Sequence, residues 1–191
     1  AEDGKVLHRW KVDGGEIFGN QITQRGDPSG TSIHGAYLFA NGGVLVNLEY
    51  VGMARIGSCG NVRWLLGEGN HHSIARADNG SFWVPAVWPE RRANSERYPD
   101  GFPGLGGKKV WVDRILNVSE EGEVLRDINV VDVLYENGLE RYIPKVLGGP
   151  WPSSQAVNAD ITHINDVEPL SASMADEYPL FEAGGLLVSL R

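Results

Sequence analysis

Only one cysteine, Cys59, occurs in the 191 residues, which excludes an internal disulfide. Basic residues are in deficit, 17 against 25 acidic, giving a net charge of −8. A broad nucleic-acid footprint wants the opposite balance, so at most a local basic pocket remains open. No apolar run reaches the ~20 residues that a membrane-spanning helix needs. No leader is visible, and the chain starts at Ala1 rather than Met, as it would with a leader removed or not included. HxH, HExxH and clustered cysteines are also missing, so no local metal signature is present.

Glycine, by contrast, is plentiful: 25 residues, with six tryptophans, as in an all-β protein with many turns. One phrase occurs three times. His34 is followed by Asn41-Gly42 and the apolar run Val44-Leu45-Val46. His72 is followed at the same spacing by Asn79-Gly80 and Phe82-Trp83-Val84. A stretched third copy opens at His163 and reaches Gly184-Gly185-Leu186-Leu187-Val188. A second phrase lies between these copies: Asp3–Trp10, Cys59–Trp64 and Glu121–Arg126 each place a turn Gly before alternating apolar and polar residues. Glycine supplies the positive φ of a tight hairpin, and alternation marks a strand with one buried face. Cys59 stands where Asp3 stands in the first copy, which makes it a turn residue rather than a nucleophile. Asn79-Gly-Ser81 and Asn117-Val-Ser119 are formal glycosylation acceptors, but Asn79 is better explained by its turn.

Regular alternation of short antiparallel strands predicts an all-β fold, a β-propeller. The phrases predict an outer strand over 3–10, a blade from 34 to 66 and a blade from 71 to 129 with a loop over 85–107. A helix-like insert over 130–143 and the start of a third blade over 163–191 follow. Closure needs at least four blades of about 40–50 residues, and Leu187–Arg191 reads as an apolar strand without a cap. The expectation is therefore about half of a propeller; the alternative is a small complete β-sandwich.

Three stretches depart from the repeat. Pro85–Gly107 carries Trp88, Arg91, Arg92, Arg97 and Tyr98, basic residues that either hold an anionic substrate or are solvated. Val131, Leu134, Leu139 and Tyr142 approximate a helical stripe, weakened at Asn137-Gly138. Glu168–Phe181 contains Met174-Ala175-Asp176-Glu177, a candidate helical turn.

Of the five histidines, His34, His72 and His163 each open an inner strand, so a propeller would gather them at one mouth of its channel. His71 and His72, if on a strand, would face opposite sides, while His163 and Asn165 would share one. Three readings stay open. The imidazoles cap turns, or ligate a metal, or serve as nucleophile or acid and base beside Asn and Arg. Arg191, which ends the strand after His163, offers the planar fork that recognises oxyanions.

His71-His72-Ser73-Ile74, then Asp160-Ile-Thr-His163-Ile-Asn165-Asp-Val-Glu168, then Leu187-Val-Ser-Leu-Arg191 resemble the bacterial-type arylsulfate sulfotransferase family. The likeness runs from His34 onward; its most specific part is the His-x-Asn motif followed by the Ser-x-Arg strand. It implies a six-bladed propeller that moves a sulfuryl group from an aryl sulfate to a phenol, without 3′-phosphoadenylyl sulfate (PAPS) and with no cofactor. The route implied is ping-pong through a sulfated histidine. By resemblance His72, His163 and Arg191 are catalytic and Asn165 is a companion donor. His34 is placed with the substrate-binding residues by its repeat position. The family's nucleophile stands in a Gln-His motif of a later blade, and no Gln-His pair occurs in this sequence. The partners implied are small aryl sulfates and phenols, and family habit implies a periplasmic or secreted location. Glu168–Phe181 makes the His163-to-Arg191 spacing longer than in the best-known members, which places the chain in a divergent branch. A non-catalytic propeller that binds or scaffolds is the alternative, and a quinone- or metal-using propeller oxidoreductase a third reading.

Overall fold

The computed structural model describes residues 3–19, 32–143 and 159–190. The described part is mostly β-sheet. Strands β1 (Ile33–Leu38), β2 (Val44–Leu48), β3 (Gly52–Ile56) and β4 (Val62–Leu66) form one antiparallel sheet in chain order. A second sheet repeats this with β5 (Ala75–Arg76), β6 (Phe82–Val87), β7 (Asp113–Val118) and β8 (Val124–Asn129). Strands β9 (Ile164–Pro169) and β10 (Leu186–Leu190) make an antiparallel pair.

The repeated phrases explain the hairpins. Asn41 Oδ1 accepts a hydrogen bond from Gly43 N at 3.0 Å, and Asn79 Oδ1 accepts from Ser81 N at 3.0 Å. The glycine between is left-handed in both turns, φ 79° at Gly42 and 87° at Gly80. An Asx-closed turn thus sets the register of β1 on β2 and of β5 on β6.

Burial follows position in the sheet. The inner strands β2, β3, β6 and β7 are buried along their whole length, polar Asn47, Arg55, Asp113, Arg114 and Asn117 included, whereas the outer strands β4 and β8 are largely exposed although β4 is mostly apolar. The core lies between sheets. Phe39, Leu45 and Met53 of the first pack against Phe82, Val84 and Leu116 of the second. Trp83 and Ile115 of the second pack with Ile161, Ile164 and Val167 around β9. Edge-on rings join the two sheets across the seam, with Tyr37 of β1 5.2 Å from Phe82 of β6, and Arg76 Nη1 of β5 donates to Tyr37 Oη at 3.1 Å. Ser73 Oγ accepts from Val167 N at 3.2 Å across the next seam. Farther out, Trp64 Nε1 donates to Glu120 O at 2.9 Å.

Several expectations are corrected. Residues 4–13 form no strand, and Val6 and Leu7 are exposed. The same phrase is a strand at β4 and β8, where β3 and β7 offer an open edge; 3–10 meets no such edge among the described residues. Pro85 does not begin a loop but lies inside β6, opposite Ile115. Its carbonyl accepts from His71 N at 3.2 Å, on the side where two-residue β5 has already ended, so the missing N–H leaves no ladder bond unmade. The stretch after His163 is likewise strand through Pro169, and the insert is the β9–β10 connection, with a 3-10 turn at Ala175–Glu177. The helix expected within 130–143 is present as α2 (Val130–Glu136), capped by Asn129 Oδ1 and followed by left-handed Gly138; a short α1 (Gly14–Phe18) precedes the first sheet.

Candidate functional site

His34, His72 and His163, far apart in sequence, meet where the first strands of successive sheets begin. The His72 ring is central: its centroid is 4.7 Å from His34, 5.0 Å from His71 and 5.3 Å from His163, each pair edge-on. Three elements supply these rings. β1 carries His34, the segment before β5 carries His71 and His72, and the residue before β9 is His163.

Backbone shape makes the convergence possible. His72 and His163 are both left-handed, at φ 52° and 42°, a conformation uncommon for a residue with a Cβ. This overturns the expectation that His71 and His72 face apart. The bend at His72 brings the two rings together, Nδ1 to Nδ1 at 2.8 Å. It also turns three successive carbonyls toward one amide: Asn47 Nδ2 donates to the oxygens of His71, His72 and Ser73 at 3.3, 3.2 and 3.0 Å. Asn47 is fully buried on β2, so the first sheet grips the histidine loop of the second. Gly35 clears the space opposite, since a Cβ there would stand 2.1 Å from His72 O.

Carboxylates brace the rings from behind. Asp113 opens β7 and is buried; its Oδ2 accepts from Thr162 Oγ1 at 2.7 Å and from Ile164 N at 3.2 Å, while Oδ1 stands 3.7 Å from His71 Nε2. Asp160 Oδ2 lies 2.5 Å from His163 Nδ1. Glu49 Oε2 is 3.4 Å from His34 Nε2, and the Tyr50 ring lies 4.8 Å from that of His71. Burial, then the neighbouring His71, His34 and His163, push the His72 pKa down from 6.5 to about 4, with Asp113 opposing. His72 is therefore neutral at pH 7, a ring with one N–H and one lone pair.

Asn165 is half-buried beside the cluster, and its Nδ2 donates to His163 O at 3.4 Å. Because His163 is bent rather than extended, the two do not simply share a strand face as the spacing predicted. Arg191 lies outside the described residues. The loop arginines are engaged by their own chain: Arg91 stands 5.5 Å from the Trp111 ring, Arg92 3.9 Å from the Trp88 ring, and Arg97 pairs with Glu136.

Sequence reasoning missed Asn47, Asp113 and Asp160. Asp113 carried a signal, a carboxylate heading the apolar strand Ile115-Leu116, and Asp160 stands three residues before His163. Nothing marked Asn47. A cavity of about 530 Å³ beside Trp88 and Arg97 and an apolar one of about 550 Å³ beside Met174, Tyr178 and Phe181 include none of the histidines. Among the described residues no set of three or more His, Cys, Asp or Glu is arranged to hold a metal ion, and no helix is long and apolar enough to cross a membrane.

A protein-family model described as Arylsulfotransferase (ASST) matches residues 2–191. No curated protein matches the chain.

Proposed function

The chain belongs to the arylsulfotransferase (ASST) family, and from that premise we propose that its histidine cluster binds aryl sulfate during PAPS-independent transfer of a sulfuryl group to a phenol through a sulfohistidine. The carrying observation is the run of ring contacts from His34 through His72 to His163, drawn from three successive sheets. The sheets spanning 33–66, 75–129 and 164–190 are read as successive blades of a β-propeller. Their seams, where β5 meets β1 through Arg76 and Tyr37 and β9 meets the start of β5 through Val167 and Ser73, support that reading.

In this reading His72 and His163 contact the reacting sulfate and the phenolic oxygen, and His34 and Asn165 complete the substrate's surroundings. Arg191 supplies a guanidinium to the sulfuryl oxygens. Transfer breaks the aryl O–S bond as an imidazole nitrogen bonds to sulfur, and the first aryl oxide departs; the second half-reaction breaks the N–S bond as the acceptor oxygen bonds to sulfur, and the proton the acceptor gives up balances the aryl oxide released. A neutral imidazole suits this work, because it carries one N–H that can donate to an oxygen gaining charge and one lone pair that can accept from a phenolic hydroxyl. The sulfated histidine itself is not assigned to any residue of this chain, since the family's Gln-His phrase does not occur in it.

The test has two arms. With this chain, 4-nitrophenyl sulfate should shift the ¹⁵N-histidine signals of His34, His72 and His163 saturably. In turnover assays of the protein that carries this chain, 4-nitrophenyl sulfate should release 4-nitrophenol and leave a sulfated histidine visible by mass spectrometry, and His72→Ala or His163→Ala should lose about 100-fold or more of the rate. No adduct, no release and no shift would overturn the proposal. A non-catalytic binding propeller, the second reading, predicts saturable shifts without nitrophenol release.

A further inference from the structure

Each of the two left-handed histidines is backed by a buried or nearly buried carboxylate, but by different routes. Asp160 touches His163 directly, Oδ2 to Nδ1 at 2.5 Å. Asp113 does not reach His72; it stands behind His71, which in turn touches His72. The resulting line is Asp113 Oδ1, 3.7 Å, His71 Nε2, then His71 Nδ1, 2.8 Å, His72 Nδ1.

The first gap is an electrostatic contact rather than a hydrogen bond. It still decides which ring nitrogen of His71 carries the proton. Both groups are about 1% exposed, so water screens their interaction weakly. A bare Nε2 would aim a lone pair at a carboxylate oxygen, whereas an N–H there is attracted. When His71 carries a single proton and that proton sits on Nε2, its Nδ1 holds only a lone pair. The 2.8 Å bond between the two Nδ1 atoms then needs its hydrogen from His72.

We infer that Asp113 and His71 are positioning residues that fix His72 as the Nδ1–H tautomer, so that His72 offers its bare Nε2 to the ligand as a hydrogen-bond acceptor. Such a nitrogen is repelled by sulfuryl oxygens and accepts from a hydroxyl. Resting on the sulfotransferase reading, this assigns His72 to the phenolic O–H of the acceptor and leaves the sulfuryl oxygens to other donors. The depressed basicity of His72 agrees, because a neutral ring keeps that lone pair open across the neutral range. Asp113 also ties the second sheet to β9 through Thr162 and Ile164 N, so one carboxylate fixes both the ring orientation and the seam beside it.

The test reads tautomers without substrate. In the ¹⁵N-histidine-labelled chain at about pH 7.5, long-range proton–nitrogen correlations should show His72 protonated at Nδ1 and bare at Nε2. In Asp113→Asn the side-chain amide can donate to His71 Nε2, His71 turns to its other tautomer, and the His72 proton should move to Nε2. Should that variant lose its native amide spectrum because Thr162 and Ile164 lose their acceptor, His71→Phe keeps those bonds. It removes the acceptor for His72 Nδ1–H, and the proton should again move to Nε2. A wild-type His72 protonated at Nε2, or a His72 tautomer unchanged in a folded variant, overturns the inference. Either result leaves the nitrophenyl sulfate test of the family activity standing by itself.

Discussion

Acidification should destabilise this protein through His72, and a single substitution isolates the effect. In the unfolded chain the ring takes up its proton near pH 6.5; in the folded protein, burial and three neighbouring imidazoles delay that to about 4. Between those values the unfolded state binds more protons, so stability falls as pH falls. The contribution is fully present above about pH 6.5 and gone below about pH 4. Fully expressed, the gap between 6.5 and about 4 is worth at most roughly 3 kcal/mol. The ring is only partly buried, and solvent screening brings the expected size to about 1–2 kcal/mol. Urea melts of the wild type and His72→Gln at intervals from pH 7.5 to 4 measure it. Carboxylates titrate alike in both proteins, so the difference between the curves belongs to the histidine. The expected result is a wild-type curve that loses about 1–2 kcal/mol more than the variant's across this window. Parallel curves, or an NMR titration of His72 centred at 6.5 or above, would refute the account of a buried, crowded imidazole.

Asn47→Ala should lower stability by about 2–3 kcal/mol in thermal or urea melts, because three carbonyls lose their shared donor in a buried place; a loss within about 0.5 kcal/mol would mean that water replaces the amide. Gly35→Ala puts a methyl against the His72 carbonyl, so the seam must open at a cost of about 1–3 kcal/mol. The His34-to-His72 ring contact should disappear from proton NMR, and its survival would contradict the packing described.

The hairpins were readable because their chemistry is local. Asn41-Gly42 and Asn79-Gly80 close their own turns, and the apolar runs behind them become buried strands. The meeting of His34, His72 and His163 is not local, but it was legible from repetition: each holds the same place, at or just before the first strand of its sheet. What escaped is non-local. Asn47 acts on carbonyls 24 to 26 residues away, and no pattern within β2 announces that. The His71–His72 contact escaped because alternation assumes extended backbone, which His72 abandons. The phrase at 3–10 looked like its copies, but a strand requires a neighbour's edge, and that requirement is not written in its own residues.

The left-handed bends at His72 and His163 also set this protein's durability against its chemistry. Each holds a residue with a Cβ in a conformation that glycine or asparagine would occupy more comfortably, at a cost of about 1 kcal/mol or more apiece. A laboratory selection for heat tolerance alone would be drawn to positions 72 and 163 as inexpensive repairs, and each repair would erase an imidazole from the cluster. Engineers wanting a hardier protein that keeps its histidine cluster should look instead to the turns and outer strands, where firmness does not compete with those rings.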